Sequence, residues 1–233
     1  MSEDLYKFPS TPHLAWLGDE PVRDDKVLSP AEAELFLRVP VVVEEKVDGA
    51  NLGLSFDASG QIRFQNRGHW LRGPLSGQWE RLRGWAAAHE QALCDVLPAQ
   101  HILFGEWCYA KHSIPYDHLP DWFLAFDVLD SCTGRFWSTP RRNALAGTAD
   151  IATVPEIARG AFRMPDLHTM LEGRSAVGDV PREGLYLRHE DADWLLARAK
   201  LVRAAFTQSI GEHWSRHGCT PNRVQPAVTL VAR

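Results

Sequence analysis

Val41-Val42-Val43-Glu44-Glu45-Lys46-Val47-Asp48-Gly49-Ala50-Asn51 joins two habits of a polypeptide that rarely meet at a lysine. Three successive valines favour a pleated, largely buried strand. Asp48-Gly49 is turn chemistry. Lys46 sits between them, where backbone and neighbours are rigid, although lysine normally keeps its ammonium in water. One reading is a strand-end lysine paired with Glu44. The other is a nucleophile, which must first shed its proton: an ordinary lysine is neutral in roughly one molecule in 2,500 at neutral pH. Lowering its pKa by about 3 units takes about 4 kcal/mol, within reach of burial plus nearby cations. A nucleophilic Lys46 therefore predicts positive charge close by. K-x-D-G alone arises by chance in about one chain of this length in twenty, so the rest of the sequence decides.

Working outward, strand signals dominate. Val41 to Val47 is followed by alternating Leu52, Leu54 and Phe56, then the turn Asp57-Ala58-Ser59-Gly60 and a second strand through Ile62 and Phe64, a hairpin on whose far strand Arg63, Gln65 and Arg67 point away from the apolar face. Gly77 to Leu97 carries Trp79, Leu82, Trp85, Ala86 and Leu93 at helical spacing. Strands follow at His101 to Cys108 and Trp122 to Leu129, the latter turned by Ser131-Cys132-Thr133-Gly134 into Arg135 to Trp137. Thr139-Pro140 begins a helix, and Asp166 to Glu172 is a short one. Glu183 to Arg188 and Trp194 to Arg203 are strands flanking the turn Glu190-Asp191-Ala192-Asp193, and Ile210 to His217 reads as a short terminal helix. The sum is an α+β fold, mainly antiparallel sheets with flanking helices, and no internal boundary divides residues 1–233.

The chain has 233 residues, 24% charged, with a formal net charge of −5, which excludes retention on nucleic acid by bulk electrostatics and requires any such contact to use a local basic groove. Cys94, Cys108, Cys132 and Cys219 form no C-x-x-C pair, so neither a zinc ribbon nor a disulfide framework is indicated. No apolar run approaches the ~18 residues of a membrane span, and Met1 to Ser10 lacks the apolar core of a leader. A cytoplasmic location is expected.

Four further stretches carry groups suited to chemistry. In Arg198-Ala199-Lys200 the two cations share a strand face, able to bind phosphates and depress a neighbouring lysine's pKa, or simply to protect a sheet edge. Glu183-Gly184 places a carboxylate at the entry to an apolar strand, either as a ligand for a divalent metal or as the end of a loop. Glu106, in Phe104-Gly105-Glu106-Trp107, is embedded in an apolar strand and needs partners, which sugar hydroxyls would supply. Phe126, beside Asp127, would stack on a base or pack in the core. His213 and His217 stand one turn apart, a spacing shared by metal pairs and by solvated helix faces.

In this order along one chain, Lys-x-Asp-Gly, Phe-Gly-Glu-Trp, Phe-x-x-Phe-Asp, Glu-Gly and a basic pair resemble the motif set of the covalent lysyl-nucleotidyltransferases, the superfamily of polynucleotide ligases and capping enzymes. The resemblance runs from Glu45 to Arg203. Asn66-Arg67 before Gly68-His69-Trp70-Leu71, and the Gly105-Glu106-Trp107-Cys108 context, look most like ATP-dependent RNA ligases, and Phe8-Pro9-Ser10-Thr11-Pro12-His13-Leu14 resembles the start of small bacterial and phage members. The resemblance implies a nucleotidyltransferase ligase core related to ATP-grasp folds, using ATP with Mg²⁺ or Mn²⁺. It implies Lys46 as the nucleophile that takes AMP, and joining of RNA 5′-phosphate and 3′-OH ends through lysyl-AMP and RNA-adenylate. By the same resemblance Glu45 and Glu106 bind the nucleoside, Glu106 through the ribose, and Phe126 stacks on adenine. Arg67 meets phosphate, Glu183 organises metal, and Lys200, with Arg198, serves the α-phosphate and the nucleophile.

The basic pair departs from the usual Lys-x-Lys, and arginine at 198 keeps the charge but not a transferable proton. Only 33 residues follow Lys200, too few for an oligonucleotide-binding barrel, so a single nucleotidyltransferase domain is expected, with RNA held weakly and helped by an end-healing or RNA-binding partner. A DNA ligase, a capping-type guanylyltransferase and a non-catalytic RNA-end-binding module are the competing readings.

Overall fold

The structure, a computed structural model, describes residues 5–18, 27–208 and 219–226. In chain order its strands are β1 (Val41–Lys46), β2 (Ala50–Phe56), β3 (Ile62–Gln65), β4 (His101–Trp107), β5 (Phe123–Asp130), β6 (Arg135–Phe136), β7 (Glu156–Gly160), β8 (Gly184–Glu190) and β9 (Leu195–Val202). The helices are α1 (Pro30–Leu37), α2 (Leu82–Val96), α3 (Thr139–Thr148), α4 (Met164–Leu171) and α5 (Ala204–Gln208). Two antiparallel sheets result, ordered β7-β1-β8-β9 and β3-β2-β4-β5-β6. The α+β class with mainly antiparallel sheets is as expected. The expected helix from Gly77 splits into a 3-10 turn at Gly77–Trp79 and α2. Three elements were not anticipated: β7, α5, and α1, whose Ser29-x-x-Glu32 capping box closes with Glu32 N–H on Ser29 Oγ at 3.3 Å and Ser29 N–H on Glu32 Oε2 at 2.8 Å. The expected helix at 210–217, with His213 and His217, lies outside the described residues.

Period-2 alternation gives the first sheet two unlike faces. Val41, Val43, Leu185, Leu187, Ala199 and Leu201 are buried together against α1 and α4, each large side chain contributing about 1.5–3 kcal/mol. The opposite face repeats in rows set by the register: Val42 beside Arg188 beside Arg198, Glu44 beside Tyr186 beside Lys200, Lys46 beside Gly184. That face is charged, and it looks onto the second sheet. The second sheet in turn packs Leu52, Leu54, Leu103, Trp107 and Phe123 under α2.

The two sheets are joined by buried charge. The β4–β5 register passes from Phe104 opposite Asp127 to Gly105 opposite Ala125, leaving Phe126 as the extra residue of a bulge. Its carbonyl accepts from Arg142 Nη1 at 2.7 Å and Arg188 Nη1 at 3.1 Å. Arg142 also pairs with Glu44 at 2.6 Å, Arg188 with Asp127 at 2.6 Å, and Arg198 with the same carboxylate at 3.1 Å. Arg142, Arg188, Glu44 and Asp127 are all fully buried. Glu44 is thus committed to arginine and not to Lys46. Gln65 also differs from expectation: it is fully buried, because residues 5–14 cover that face and the Tyr6 carbonyl accepts from Gln65 Nε2 at 2.7 Å.

Arg142→Ala leaves a buried carboxylate without its partner and is expected to cost about 3–5 kcal/mol, whereas Arg38→Ala, which removes only an exposed pair with Glu34, should cost under about 1 kcal/mol. Urea unfolding of both variants checks this, and equal losses would contradict it.

Candidate active site

Between the sheets lies a cleft of about 200 Å³, open to solvent. β1 delivers Glu44, Glu45 and Lys46 to it, β4 delivers Glu106, the β5 bulge delivers Phe126, and β9 delivers Lys200. Arg67, just past β3, completes the set. Six of the expected site residues therefore converge here. Glu183 reaches Lys46 from the start of β8, its Oε1 2.6 Å from Nζ. Arg198 does not line the cleft: its guanidinium lies over the Phe8 and Phe136 rings, 4.9 and 4.4 Å from their centroids, and on Asp127.

After Lys46 the chain must turn beside β4. Gly49 N–H donates to Glu106 Oε1 at 3.0 Å, and a Cβ at Gly49 would stand 2.7 Å from the Trp107 carbonyl oxygen. Only glycine fits that close approach. Asp48 anchors the turn: its Oδ2 accepts from Ser113 and Ile114 N–H at 2.7 and 3.2 Å, and its own N–H donates to the Tyr116 hydroxyl at 2.8 Å.

The electrostatics differ from the simple expectation for a nucleophile. Removal from water would lower the Lys46 pKa, but Glu183, Glu106 and Asp48 outweigh it and hold the ammonium above the ordinary lysine value. Burial pushes the Glu106 carboxyl up to about 8 against the opposing pull of Lys46, and pushes Glu183 up to about 7. The protein alone therefore stores the lysine protonated among acidic side chains, Glu106 and Glu183 themselves holding protons more tightly than usual. Lys200 opposes this, its charge lowering Glu183.

Several buried acceptors in and beside the cleft have no partner: Glu45 Oε1, Asn51 Oδ1 and Glu183 Oε2. Unpaired buried oxygens are costly, and they call for donors or a cation. Glu45 Oε2 is already engaged with Ala176 N–H at 2.8 Å. Among the described residues no group of three or more His, Cys, Asp or Glu side chains is arranged to hold a metal by itself, so Glu183 would be one protein oxygen among ligands drawn from elsewhere.

The cleft also contains residues that sequence reasoning did not assign. Phe8, Pro9 and Thr11 form part of its wall, and Phe8 packs edge-on to Phe126 at 5.4 Å between centroids. The segment adds itself to the free side of β9, with Leu14 N–H on the Lys200 carbonyl at 2.7 Å and Lys200 N–H on the Pro12 carbonyl at 2.9 Å. Tyr186 lies in phase with Glu44 and Lys200, a placement that the strand alternation of β8 would have given once the register was known. No helix of the described residues is long and apolar enough to cross a membrane.

The raised Glu106 pKa has a consequence for stability. An unfolded chain ionises this carboxyl from about 4.5, whereas the folded chain retains the proton to about 8. Folding is therefore penalised progressively as pH rises through that window. Glu106→Gln should gain stability over the parent between pH 5 and pH 8, by on the order of 2–4 kcal/mol. Urea midpoints at the two pH values check this, and a difference that does not change with pH would contradict it.

The family description for RNA ligases matches residues 39–202, more than half of the chain. Among solved structures, a Naegleria gruberi RNA ligase carrying a lysine-to-alanine substitution, with ATP and Mn, superposes at a TM-score of 0.58 with 19% identity over 73% of this chain and 51% of that one. The same ligase with PPi gives 0.57, 20% identity, and coverage of 73% and 51%. A further lysine-to-alanine form with ATP and Mn gives 0.58, 17% identity, and coverage of 87% and 63%. The chain thus spans about half to two thirds of the length of these structures, and at such identity they establish the fold alone. No curated protein matches the chain by sequence. The matched segment contains the Lys46 strand, the Glu106 strand, the Phe126 bulge and the Glu183–Lys200 hairpin, and the chain belongs to the RNA ligase family.

Proposed function

We propose that the protein is an ATP-dependent RNA ligase acting through a single nucleotidyltransferase unit. The observation that carries the reading is the convergence of Lys46, Glu106, Phe126, Lys200 and Arg67 on one cleft, with Glu183 2.6 Å from the lysine. In this reading neutral Lys46 Nζ attacks the α-phosphorus of ATP. A P–N bond forms, the bond to the bridging oxygen breaks, and pyrophosphate leaves. An oxygen of an RNA 5′-phosphate then attacks the AMP phosphorus, and the P–N bond breaks to restore the lysine. Finally a 3′-OH attacks the 5′-phosphate phosphorus and expels AMP.

The residues take complementary parts. The orphaned Glu45 Oε1 accepts from the adenine amino group, Glu106 accepts from ribose hydroxyls, and Phe126 offers a ring face to the base. Lys200 and Arg67 donate to phosphate oxygens. Arg198 contributes by holding Phe8, part of the cleft wall, and Phe136, which packs against it. The unpaired Glu183 Oε2 suits a hard cation such as Mg²⁺ or Mn²⁺, which would supply charge that neutralises polyphosphate and loosens the carboxylate hold on Lys46. ATP and Mn in the Naegleria structures agree with this pairing. Lys46 must lose its proton against Glu183, Glu106 and Asp48, so positive charge brought in with the nucleotide is part of the mechanism.

For RNA, Arg63, Arg67, Arg72 and His69 lie on and just after β3, Arg67 among them lining the cleft and Arg63 being stacked 4.9 Å from the Trp70 ring centroid. A few phosphate contacts give weak binding, with log affinity falling by about 0.7 to 0.9 per contact for each decade of salt. A partner that heals or holds RNA ends fits such weak grip, and a cytoplasmic location fits the substrate.

Incubation with ATP and Mg²⁺ or Mn²⁺ should add one AMP to the protein by intact mass, with no adduct on Lys46→Ala. An adduct that survives this substitution would reject Lys46 as the nucleophile. Label from α-labelled GTP would favour a capping-type enzyme, and equal joining of DNA would favour a DNA ligase.

Phe126→Tyr should keep nucleotide affinity within about threefold, while Phe126→Leu should lose about tenfold, a base–ring stack being worth about 1–3 kcal/mol. Equal affinities of the two variants, measured by titration with ATP, would confine Phe126 to core packing.

A further inference from the structure

Residues 219–226 lie beyond the segment that the family description matches, yet they are fastened to the site. They run along the loop that follows β4. Lys111 N–H donates to the Thr220 carbonyl at 2.8 Å, Asn222 N–H to the Tyr109 carbonyl at 2.8 Å, and Arg223 N–H to the Tyr116 carbonyl at 2.9 Å. Leu119 and Val224 continue the contact as a parallel bridge.

Asn222 is the centre of this seam. Its side chain is buried and spans the loop from entry to exit: Oδ1 accepts from Tyr116 N–H at 2.9 Å, and Nδ2 donates to the Cys108 carbonyl at 2.8 Å. An asparagine can do this because one amide presents both an acceptor and a donor. The loop that it spans is the same loop that grips the turn after Lys46. Ser113 and Ile114 N–H bind the Asp48 carboxylate, and the Tyr116 hydroxyl accepts from Asp48 N–H. Tyr116 is itself buried, so its hydroxyl has a fixed position set by the backbone that Asn222 holds.

We propose that Asn222 is a positioning residue for the Lys46 reaction, acting through Tyr116 and the 108–116 loop to fix the Asp48-Gly49 turn. This rests on the functional reading above. It adds that residues outside the matched segment tune the nucleophile's geometry. Neither Asn222 nor Tyr116 lines the cleft, so the effect falls on the rate of attack and not on ATP binding.

The test is single-turnover adenylylation of the full chain across ATP concentrations, for the parent, Asn222→Ala and Tyr116→Phe. Each variant should lower the rate constant at saturating ATP by about tenfold, misplacement of a reacting group being costly. The ATP concentration giving half the maximal rate and the final fraction of protein adenylylated should stay within about twofold. Amide exchange at Asp48 should accelerate in Asn222→Ala. An unchanged rate constant, or a loss confined to the final fraction, would show that Asn222 serves only folding and would overturn the proposal. Tyr116→Phe retains the buried ring, and so decides the matter even where Asn222→Ala folds poorly. Absence of an adduct on the parent would overturn the functional reading instead, and the Asp48 exchange rate would still decide whether Asn222 holds the turn.

Discussion

The carbonyl oxygen of Phe126 is the point on which this molecule is assembled. A bulge removes it from the β4–β5 ladder, and two buried guanidiniums, Arg142 from α3 and Arg188 from β8, take it up. A carbonyl left unbonded in that interior would cost several kcal/mol, and so would either arginine without its carboxylate. Glu44 and Asp127 complete the set, so that each charge answers another: Arg142 with Glu44, Arg188 and Arg198 with Asp127. The network links the β1 and β8 strands of one sheet to β5 of the other directly under the cleft. Sheets packed only by apolar contact slide more readily than sheets pinned by directional bonds. The same bulge that creates the carbonyl site turns the Phe126 ring to the cleft.

Upon that base the protein builds a site that is unfavourable to itself. Lys46 is held by three carboxylates that raise its pKa, and Glu106 and Glu183 are buried with pKa values near 8 and 7. The two raised carboxyls are a cost to folding at neutral pH, whereas the raised lysine is a gain. Under the proposed function the arrangement makes sense, because Lys46 would stay inactive until nucleotide and cation bring in the positive charge that releases it. Functional sites are where such strain is kept, offset by packing elsewhere.

Much of this was legible in the chain. The valine run, the hairpin turns and the helix around Trp85 are read from periods of 2 and 3.6, and the ordered motifs named six of the residues that line the cleft. What was not legible depends on register and on distant partners. Glu44 reads locally as the natural mate of Lys46, two residues away on the same strand face, but Arg142 is 98 positions downstream and outcompetes it. Gln65 reads as solvent-facing until the N-terminal segment is laid over it. Lys200 reads as a cation that activates Lys46, whereas the spatially nearer groups are acids supplied by three separate segments. The capping box of α1 was written in Ser29 and Glu32 and could have been found. Asn222 could not, since nothing local marks an asparagine that will bridge a loop more than 100 residues earlier.

The central claim is that the buried ionic network shapes the base-binding wall through Phe126, and a double-mutant cycle on ATP affinity tests it most directly. Arg142→Gln, Phe126→Leu and the double variant would be titrated with ATP under conditions where all three are folded. Arg142 does not itself line the cleft, so any loss on Arg142→Gln must pass through the positions it holds, Glu44 and Phe126. The account predicts that Arg142→Gln weakens ATP binding alone and adds little once Phe126 is leucine, a coupling of about 1 kcal/mol or more. Effects that simply add, within about 0.3–0.5 kcal/mol, would contradict it.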